Sequence, residues 1–306
     1  MQVGFIGLGT MGGHMARHVI EAGHRVAVHD QRPEAAEAHL AAGAVWAGSP
    51  AEAAAEAEVV FTSLPGPPEV ESVAAGLLEG MRAGSAWFDL TTNSPTLIRA
   101  LHRSFAAHDV AVLDAPVSGG PHGAASGRLA LWVGGDPDVY QRHEPLLRAI
   151  GDQPYYVGPI GAGAIAKLVH NCAGYTIQAA LAEVFTMGVK AGVDPLVIWQ
   201  AVRQGAIGRQ RTFERLADHF LPAEFDPPSF ALRLAHKDMS LAVGLGREHN
   251  VPMHLAGLAL DELTEALNRG WGGRDSRAAM LLQEERAGVE IRVPKERIAQ
   301  ARAGDA

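Results

Sequence analysis

Residues 3–12 read VGFIGLGTMG, a short apolar strand that runs directly into a glycine-rich turn. The glycines follow the pattern Gly7-x-Gly9-x-x-Gly12, which allows a tight turn and a close approach of the backbone to a pyrophosphate at a helix N-terminus. Asp30 ends the second predicted strand, where a carboxylate accepts hydrogen bonds from ribose hydroxyls. Together these residues predict a Rossmann-type dinucleotide-binding domain.

Strands and helices alternate through the first half of the chain. We predict strands at 3–6, 25–29, 59–62, 86–89, 110–113 and 129–133, with helices such as 11–22, 33–42 and 95–107 between them. This alternation is typical of a parallel sheet covered by helices on both faces. From about residue 161 the pattern is helical only, with helices at 164–191, 195–204, 209–219, 229–249, 253–270 and 275–286. The predicted fold is therefore α/β: a Rossmann domain at 1–160, an all-α domain at 161–291 and a charged tail at 292–306 that we expect to fray.

Composition argues against several classes of function. The formal net charge is −8 and no stretch gathers Lys and Arg into a basic face, so nucleic acid is not an expected partner. No apolar run approaches the ~20 residues of a membrane span, and the N-terminus has no signal-peptide pattern. The single cysteine, Cys172, cannot form an intramolecular disulfide and is expected to pack inside an apolar helix. Because this fits a reducing compartment, the sequence predicts a cytoplasmic protein. His14 and His18 share a helix face, but no acidic residue completes a metal motif, so no metal is predicted.

Lysine is scarce in this chain. It occurs only at positions 167, 190, 237 and 295, so 22 of the 26 basic residues are arginines. A desolvated lysine can release its proton, whereas arginine in practice cannot. Each lysine is thus a candidate for a task that arginine cannot perform. The alternative is that a given lysine stands at its position by chance.

Asp30 also bears on the choice of cofactor. Its carboxylate would repel the 2′-phosphate of NADP, and the next residue is Gln31 rather than an arginine. Arg32 is the one nearby group that could still reach such a phosphate. The sequence therefore favours NAD over NADP.

Two irregular segments follow predicted strands at the edge where doubly wound sheets bind ligands. Residues 63–68 read SLPGPP and contain Leu64 and Pro65, and residues 89–95 read DLTTNSP and contain Thr92. The second segment would supply hydroxyls beside the expected nicotinamide position, and the alternative is N-capping of a helix by Ser94. Both roles can coexist, because Thr92 and Ser94 need not act together.

Three motifs occur in a fixed order: GLGTMGGHM at 7–15, DAPVSGG at 114–120 and GAGAIAK at 161–167. In order and spacing they resemble the β-hydroxyacid dehydrogenase family, which includes 3-hydroxyisobutyrate dehydrogenases and tartronate and succinic semialdehyde reductases. The resemblance extends over about residues 2–290. It implies NAD-dependent hydride transfer at the hydroxyl carbon of a small 3-hydroxyisobutyrate-like carboxylate, or the reverse reduction of a semialdehyde.

The resemblance also implies individual roles. Lys167 would be the general acid/base, Asn171 would position the substrate, and Ser118-Gly119-Gly120 would bind the substrate carboxylate through a hydroxyl and backbone amides. The residues implied at the cofactor are Gly7, Leu8, Gly9, Thr10, Met11, Gly12, Asp30, Leu64, Pro65, Thr92 and Lys237. From the residues alone, Ser118–Gly120 could equally be a flexible hairpin, and Lys237-Asp238 a helix-surface ion pair.

Some points depart from the family pattern or stay open. His170 stands where the family has a first asparagine, and we favour packing beside the lysine over contact with the substrate. Two other functions are an imine reductase-like enzyme and a non-catalytic interaction module on a dehydrogenase fold. Retention of Lys167, Asn171 and the Ser118–Gly120 segment argues against the first, and the presence of Lys167 argues against the second. The apolar helix at 164–191 further predicts a homodimer or homotetramer.

Overall fold

A computed structural model describes residues 1–190, 192–205, 215–248 and 253–303. Contacts divide the chain into two compact units, Met1–Val169 and His170–Ala306. The division falls inside one long helix, which begins in the first unit and continues in the second.

The first unit is built on one mixed sheet, with strand order β3-β2-β1-β4-β5-β6-β8-β7 and β9 beside β8 among the described residues. Strands β1 to β6 pair in parallel, as the alternation of strands and helices predicts. Strand β8 runs antiparallel to β6 and β7 and parallel to β9. The strands are β1 Gln2–Ile6, β2 Arg25–His29, β3 Val45–Trp46, β4 Val59–Thr62, β5 Ala86–Asp89, β6 Ala111–Asp114, β7 Val117–Ser118, β8 Ala130–Gly134 and β9 Gln153–Gly158.

Helices cover both faces of this sheet, because successive side chains of a strand point to opposite faces. On β1, Val3 and Phe5 join one buried cluster, whereas Ile6 joins the other. The segment predicted as a helix at 33–42 is a 3-10 turn, Pro33–Ala36, followed by a short α-helix. The helices of this unit are α1 Gly12–Glu21, α2 Glu37–Ala41, α3 Pro50–Ala54, α4 Pro67–Gly80, α5 Pro95–Ala106, α6 Gly120–Ala125 and α7 Pro137–Ile150.

The regular elements of the second unit are helices throughout its described residues. Helix α8, Ala162–Lys190, leads into it, and Cys172 on this helix is partly buried against the second unit's core. The remaining helices are α9 Pro195–Gln204, α10 Leu216–His219, α11 Leu232–Glu248, α12 His254–Asn268, α13 Leu281–Ala287 and α14 Lys295–Ala303, with 3-10 turns at Trp271–Gly273 and Ser276–Met280. Most of the helix predicted at 209–219 lies outside the described residues. Of the helices described, none is both long and apolar enough to cross a membrane.

The expectation of a frayed tail from residue 292 is wrong for the described residues. Residues 295–303 form helix α14, and the side chains of Val293 and Ile298 are buried in a core cluster with Leu221. The Val293 N–H donates to the carbonyl of Leu221 at 2.7 Å. Two apolar residues among many charges are enough to dock the segment, because the charged side chains remain on its outer side.

Candidate active site

The glycines of the β1–α1 turn meet different surroundings. A Cβ on Gly7 would lie 2.2 Å from the carbonyl oxygen of Ser63, and one on Gly12 would lie 1.9 Å from that of Gly7. A Cβ on Gly9 would meet nothing within 4 Å. Packing within the protein therefore explains the first and third glycines but not the second. A bare backbone at Gly9 fits the close approach of a pyrophosphate.

Asp30 braces this turn from the end of β2. Its Oδ2 accepts the Leu8 N–H at 2.8 Å, and its Oδ1 accepts the Arg32 N–H at 2.9 Å. The guanidinium Nε of Arg32 lies 3.8 Å from the same Oδ1. Because each carboxylate oxygen has a second lone pair, two hydroxyl groups can still donate to Asp30. The turn and this carboxylate together fit a bound dinucleotide.

The loops after β4 and β5 are tied together by the buried carboxylate of Asp89. Its Oδ1 accepts the Thr62 hydroxyl at 2.8 Å and the Thr91 N–H at 3.1 Å, and its Oδ2 accepts the Asn93 amide at 2.7 Å. The Thr91 hydroxyl oxygen in turn accepts the Leu64 N–H at 3.0 Å. Burial raises the pKa of Asp89, and these hydrogen bonds oppose the shift. The Leu64 N–H is thus engaged within the protein.

The other residues predicted in these loops have distinct surroundings. Thr92 is half-buried, and Pro65 is exposed. The Ser94 side chain accepts from the Thr96 N–H at 3.2 Å at the start of α5, so the predicted N-cap is confirmed.

The segment Ser118–Gly120 leads from a strand into a helix, rather than forming a flexible hairpin. Ser118 ends β7 opposite Ala130, and α6 begins at Gly120. Gly119 and Gly120 have φ angles of 142° and 62°, conformations that favour glycine. The two glycines therefore allow the chain to turn sharply at the point where the sequence predicts carboxylate binding.

A second buried carboxylate, that of Asp114, lies at the end of β6. Its Oδ1 accepts the Gly161 N–H at 2.7 Å, and its Oδ2 accepts the Ala164 N–H at 2.6 Å. Burial raises the pKa of Asp114 to about 6, although the two backbone N–H groups oppose the shift. Lys167 lies three residues after Ala164 on α8 and is half-buried.

In the second unit, Asn171 and Lys237 both contact Asp238, whose side chain is buried. The Asn171 amide Nδ2 donates to Asp238 Oδ2, and Lys237 Nζ lies 2.9 Å from Asp238 Oδ1. Neighbouring residues on a helix do not face one another, but the long lysine stem bridges the gap. Burial, with the negative charge of Asp238, raises the pKa of Tyr175 well above its usual range. Through its contact with Asn171, the Asp238 carboxylate fixes the orientation of the Asn171 amide.

His170 is exposed on α8. His18 makes a structural contact, because its Nε2 lies 3.0 Å from the carbonyl oxygen of Ala124. Over the described ranges, no three His, Cys, Asp or Glu side chains come together in a group that could hold a metal ion.

Comparisons with known proteins agree with this architecture. A model of the NAD-binding domain of 6-phosphogluconate dehydrogenase matches residues 2–158, and one described as NAD-binding of NADP-dependent 3-hydroxyisobutyrate dehydrogenase matches 161–283. The 2-(hydroxymethyl)glutarate dehydrogenase of Eubacterium barkeri is 33% identical over 95% of this chain and 97% of its own. The chain belongs to the β-hydroxyacid dehydrogenase family. This dehydrogenase is thus an oxidoreductase with a nicotinamide dinucleotide-binding domain.

Two further relatives support the assignment. The NAD-dependent L-serine dehydrogenase of Pseudomonas aeruginosa is 32% identical to the dehydrogenase, over 90% of this chain and 95% of the relative. A solved Mycobacterium tuberculosis 3-hydroxyisobutyrate dehydrogenase with L-serine superposes with a TM-score of 0.83 at 30% identity, covering 92% and 98% of the two chains. Membership in a family of dehydrogenases argues against the non-catalytic module.

Sequence reasoning gave no role to three carboxylates of this dehydrogenase. Asp89 and Asp114 are paired residues of neighbouring parallel strands, and each organises a loop or helix start that carries predicted site residues. At the level of sequence, Asp238 has a place only as the partner of Lys237 in a possible helix-surface ion pair. For Asp89 and Asp114 the sequence does contain a signal, namely an acidic residue at the end of an apolar strand. Such an acid is buried only when backbone or side-chain donors satisfy it, so its position indicates that it organises the groups around it.

Proposed function

We propose that this enzyme oxidises the primary alcohol of a small β-hydroxy carboxylate with NAD as hydride acceptor, and that Lys167 is its general acid/base. The reverse reaction would be the reduction of the corresponding semialdehyde. The proposal has three parts, namely a cofactor site, a carboxylate site and a proton-transfer residue.

The cofactor site comprises the turn Gly7–Gly12 with Leu8, Thr10 and Met11, the carboxylate of Asp30, and the loops that contain Leu64, Pro65 and Thr92. The bare backbone at Gly9 supports pyrophosphate binding, and Asp30 supports a free 2′-hydroxyl and hence NAD. In our proposal Lys237 contributes positive charge at the cofactor. A bound nicotinamide supplies the hydride acceptor during oxidation and the hydride donor during reduction.

The chain's own residues would handle the proton and the carboxylate. Lys167 Nζ would take the hydroxyl proton as the alcohol is oxidised and return it to the carbonyl oxygen in reduction. Asn171 follows one helical turn later. One N–H of its amide donates to Asp238, which leaves the second N–H to donate to the substrate hydroxyl oxygen. The Ser118 hydroxyl and the Gly119–Gly120 amides would bind the carboxylate.

The substrates that three of the relatives are named for have one feature in common. 2-(Hydroxymethyl)glutarate, L-serine and 3-hydroxyisobutyrate all carry a hydroxymethyl group on the carbon next to a carboxylate. They differ in the other substituent of that carbon: a carboxyethyl, an ammonium or a methyl group. We expect this enzyme to act on the shared part, a 2-substituted 3-hydroxypropionate, with a substituent of its own preference.

The observation that carries the proposal is the arrangement on α8. Lys167 and Asn171 are four residues apart on one helix, the start of that helix is held by Asp114, and the Asn171 amide is held by Asp238. A lysine on a helix anchored in this way, in a chain whose basic residues are mostly arginines, supports a role that needs a removable proton.

The test is a comparison of Lys167→Arg, which keeps the charge, with Lys167→Ala. Oxidation is first screened with NAD⁺ across 3-hydroxyisobutyrate, threonate, glycerate, serine and 4-hydroxybutyrate. Both variants should lose about 10²-fold or more in kcat, because neither side chain accepts the proton, and one ionisation should vanish from the pH profile. NAD binding should survive in both.

Lys295→Arg is the matched control, because Lys295 is an exposed lysine paired with Glu224 and remote in sequence from every proposed site residue. It should leave kcat unchanged. A Lys167→Arg enzyme with near-normal kcat would overturn the acid/base assignment and leave the position a source of positive charge only.

A further inference from the structure

The first turn of α8 is capped by a residue from another part of the chain. The four N-terminal N–H groups of a helix have no partner within the helix, and the side chain of the residue just before it often accepts one or two of them. Asp136 does this for α7, where its side chain accepts the Asp138 and Val139 N–H groups at 2.8 and 3.1 Å. At α8 the preceding residue is Gly161, which has no side chain. Asp114, 47 residues earlier in sequence, takes its place.

Two glycines let the helix start approach this carboxylate. A Cβ on Gly163 would lie 2.2 Å from the Trp132 carbonyl oxygen, and one on Gly134 would lie 2.7 Å from Asp114 Oδ1. Gly161 itself has a φ of 88°, a conformation that favours glycine. The spacing Gly161-x-Gly163-x-x-x-Lys167 therefore has a physical reason: the glycines seat the helix start against β6 and β8, and the lysine follows one turn later.

Asp114 also begins the segment that leads to the predicted carboxylate site. Only Ala115, Pro116 and Val117 separate it from Ser118, and all three are buried. One carboxylate thus joins the strand that leads to Ser118 with the helix that leads to Lys167.

We propose that Asp114 is a positioning residue that sets the location of Lys167 relative to Ser118 by holding the first turn of α8 at the end of β6. The inference rests on the proposed roles of Lys167 and Ser118. It adds Asp114 as the residue that holds the two at a fixed relative position. Both carboxylate oxygens and both backbone N–H groups are needed for this, because two bonds to one helix start fix its direction as well as its distance. Proton transfer depends on such placement, since an error of about 1 Å can cost about 10²-fold in rate.

The first test compares Asp114→Asn with Asp136→Asn. Each variant replaces a capping carboxylate with an amide of the same shape, but only the first affects the helix that carries Lys167. Asp114→Asn should lower kcat for alcohol oxidation by about 10-fold to 100-fold and leave the KM for NAD⁺ within about twofold. It should also move the pH profile that reports Lys167. Asp136→Asn should lower the thermal midpoint without changing kcat or the profile.

A second variant approaches the same contact from the helix. Gly163→Ala keeps the carboxylate but pushes the helix start away from it, so kcat should fall as in Asp114→Asn. Gly174→Ala on the same helix is its control, because a Cβ there meets nothing within 4 Å. If Asp114→Asn and Gly163→Ala lose only thermal stability and keep kcat and the pH profile, Asp114 is a structural cap and the proposal fails.

A readout without substrate separates this failure from a failure of the proposed function. With only four lysines in the chain, isotope-labelled lysine gives NMR signals that Lys→Arg variants assign one by one. The pH midpoint of the Lys167 signal should shift in Asp114→Asn and stay in place in Asp136→Asn. An unchanged midpoint in an active enzyme overturns the positioning role. A shifted midpoint in a protein that oxidises none of the hydroxyacids supports the positioning role and refutes the proposed function.

Discussion

Replacing Asp30 with asparagine should reduce the preference of this enzyme for NAD⁺ over NADP⁺. Asp30 is the carboxylate that braces the glycine turn, and its side chain is only 12% exposed. Asparagine is chosen because its amide oxygen can still accept the Leu8 N–H, so the turn keeps its shape. The wild-type enzyme should show at least about a tenfold higher kcat/KM with NAD⁺, and the variant should lose most of that difference.

The magnitude follows from the repulsion between like charges. A 2′-phosphate bound beside Asp30 would bring two negative charges to roughly 4 Å, where one unit pair costs about 1 kcal/mol in water and about 4 kcal/mol near a protein surface. Each ~1.4 kcal/mol is a factor of ten, so the range runs from about fivefold to several hundredfold, and tenfold lies near its lower end. The neighbouring Arg32 guanidinium, 3.8 Å from Asp30 Oδ1, would offset part of the repulsion.

The assay is kcat/KM for both cofactors at one fixed hydroxyacid concentration, in low and in moderate salt. Glu34→Gln is the control, because it removes an exposed carboxylate four residues away that has no contact with the turn in the described hydrogen bonds. It should leave the cofactor ratio unchanged. A wild-type enzyme that uses NADP⁺ as well as NAD⁺ would refute the reasoning and indicate that Arg32 governs the choice.

Three other outcomes are expected. Converting a good substrate to its methyl ester should remove most activity, because the Ser118–Gly120 segment gains little from a neutral group; equal turnover of ester and acid would exclude a carboxylate site there. The raised pKa of Asp114, about 6 against 3.8, means that the folded state keeps its proton to higher pH than the unfolded state, so this contribution to stability is full below about 3.8 and is lost as pH rises to 6. The free energy of unfolding, measured with urea, should therefore fall between these pH values by up to about 3 kcal/mol less in Asp114→Asn than in the wild type. An identical fall in the two proteins would contradict the pKa shift. Ile298→Ala should destabilise the protein by about 2–5 kcal/mol in the same assay because Ile298 is buried, whereas Ile177→Ala, at an exposed position, should change stability little, and a frayed α14 would make both variants neutral.

Local patterns were enough to predict most of the first unit. Three strands, Arg25–His29, Val59–Thr62 and Ala86–Asp89, lie at the predicted positions, because buried parallel strands are short apolar runs bounded by turn residues. The pattern did not reveal β3 and β7, with two residues each, or β9, which contains Pro154 and exposed Tyr155. Such strands owe their pairing to a neighbouring strand, β2 or β8, rather than to their own composition.

Sequence motifs name the residues of the candidate site but not the contacts that hold those residues in place. Motif spacing points to Lys167 and Ser118 because each belongs to a contiguous pattern. The contacts of Asp114 with Gly161 and of Asn171 with Asp238 join residues 47 and 67 positions apart, so no local period reveals them. The same holds for α14 and the residues just before it. Their composition is mostly charged, so it does not indicate that Val293 and Ile298 pack on the core.

Helix α14 has a consequence for how the protein is made. Its Ile298, with Ile291 and Val293, completes a core cluster whose other members lie between residues 181 and 280. A ribosome therefore exposes the apolar side chains of Phe185 and Leu221 well before their last partners are synthesised. During that interval the nascent helical unit has an uncovered apolar surface, the kind of surface that chaperones bind and that promotes association between neighbouring chains. Synonymous codons that change the translation rate between residues 221 and 298 are thus expected to alter the yield of folded enzyme without altering its sequence.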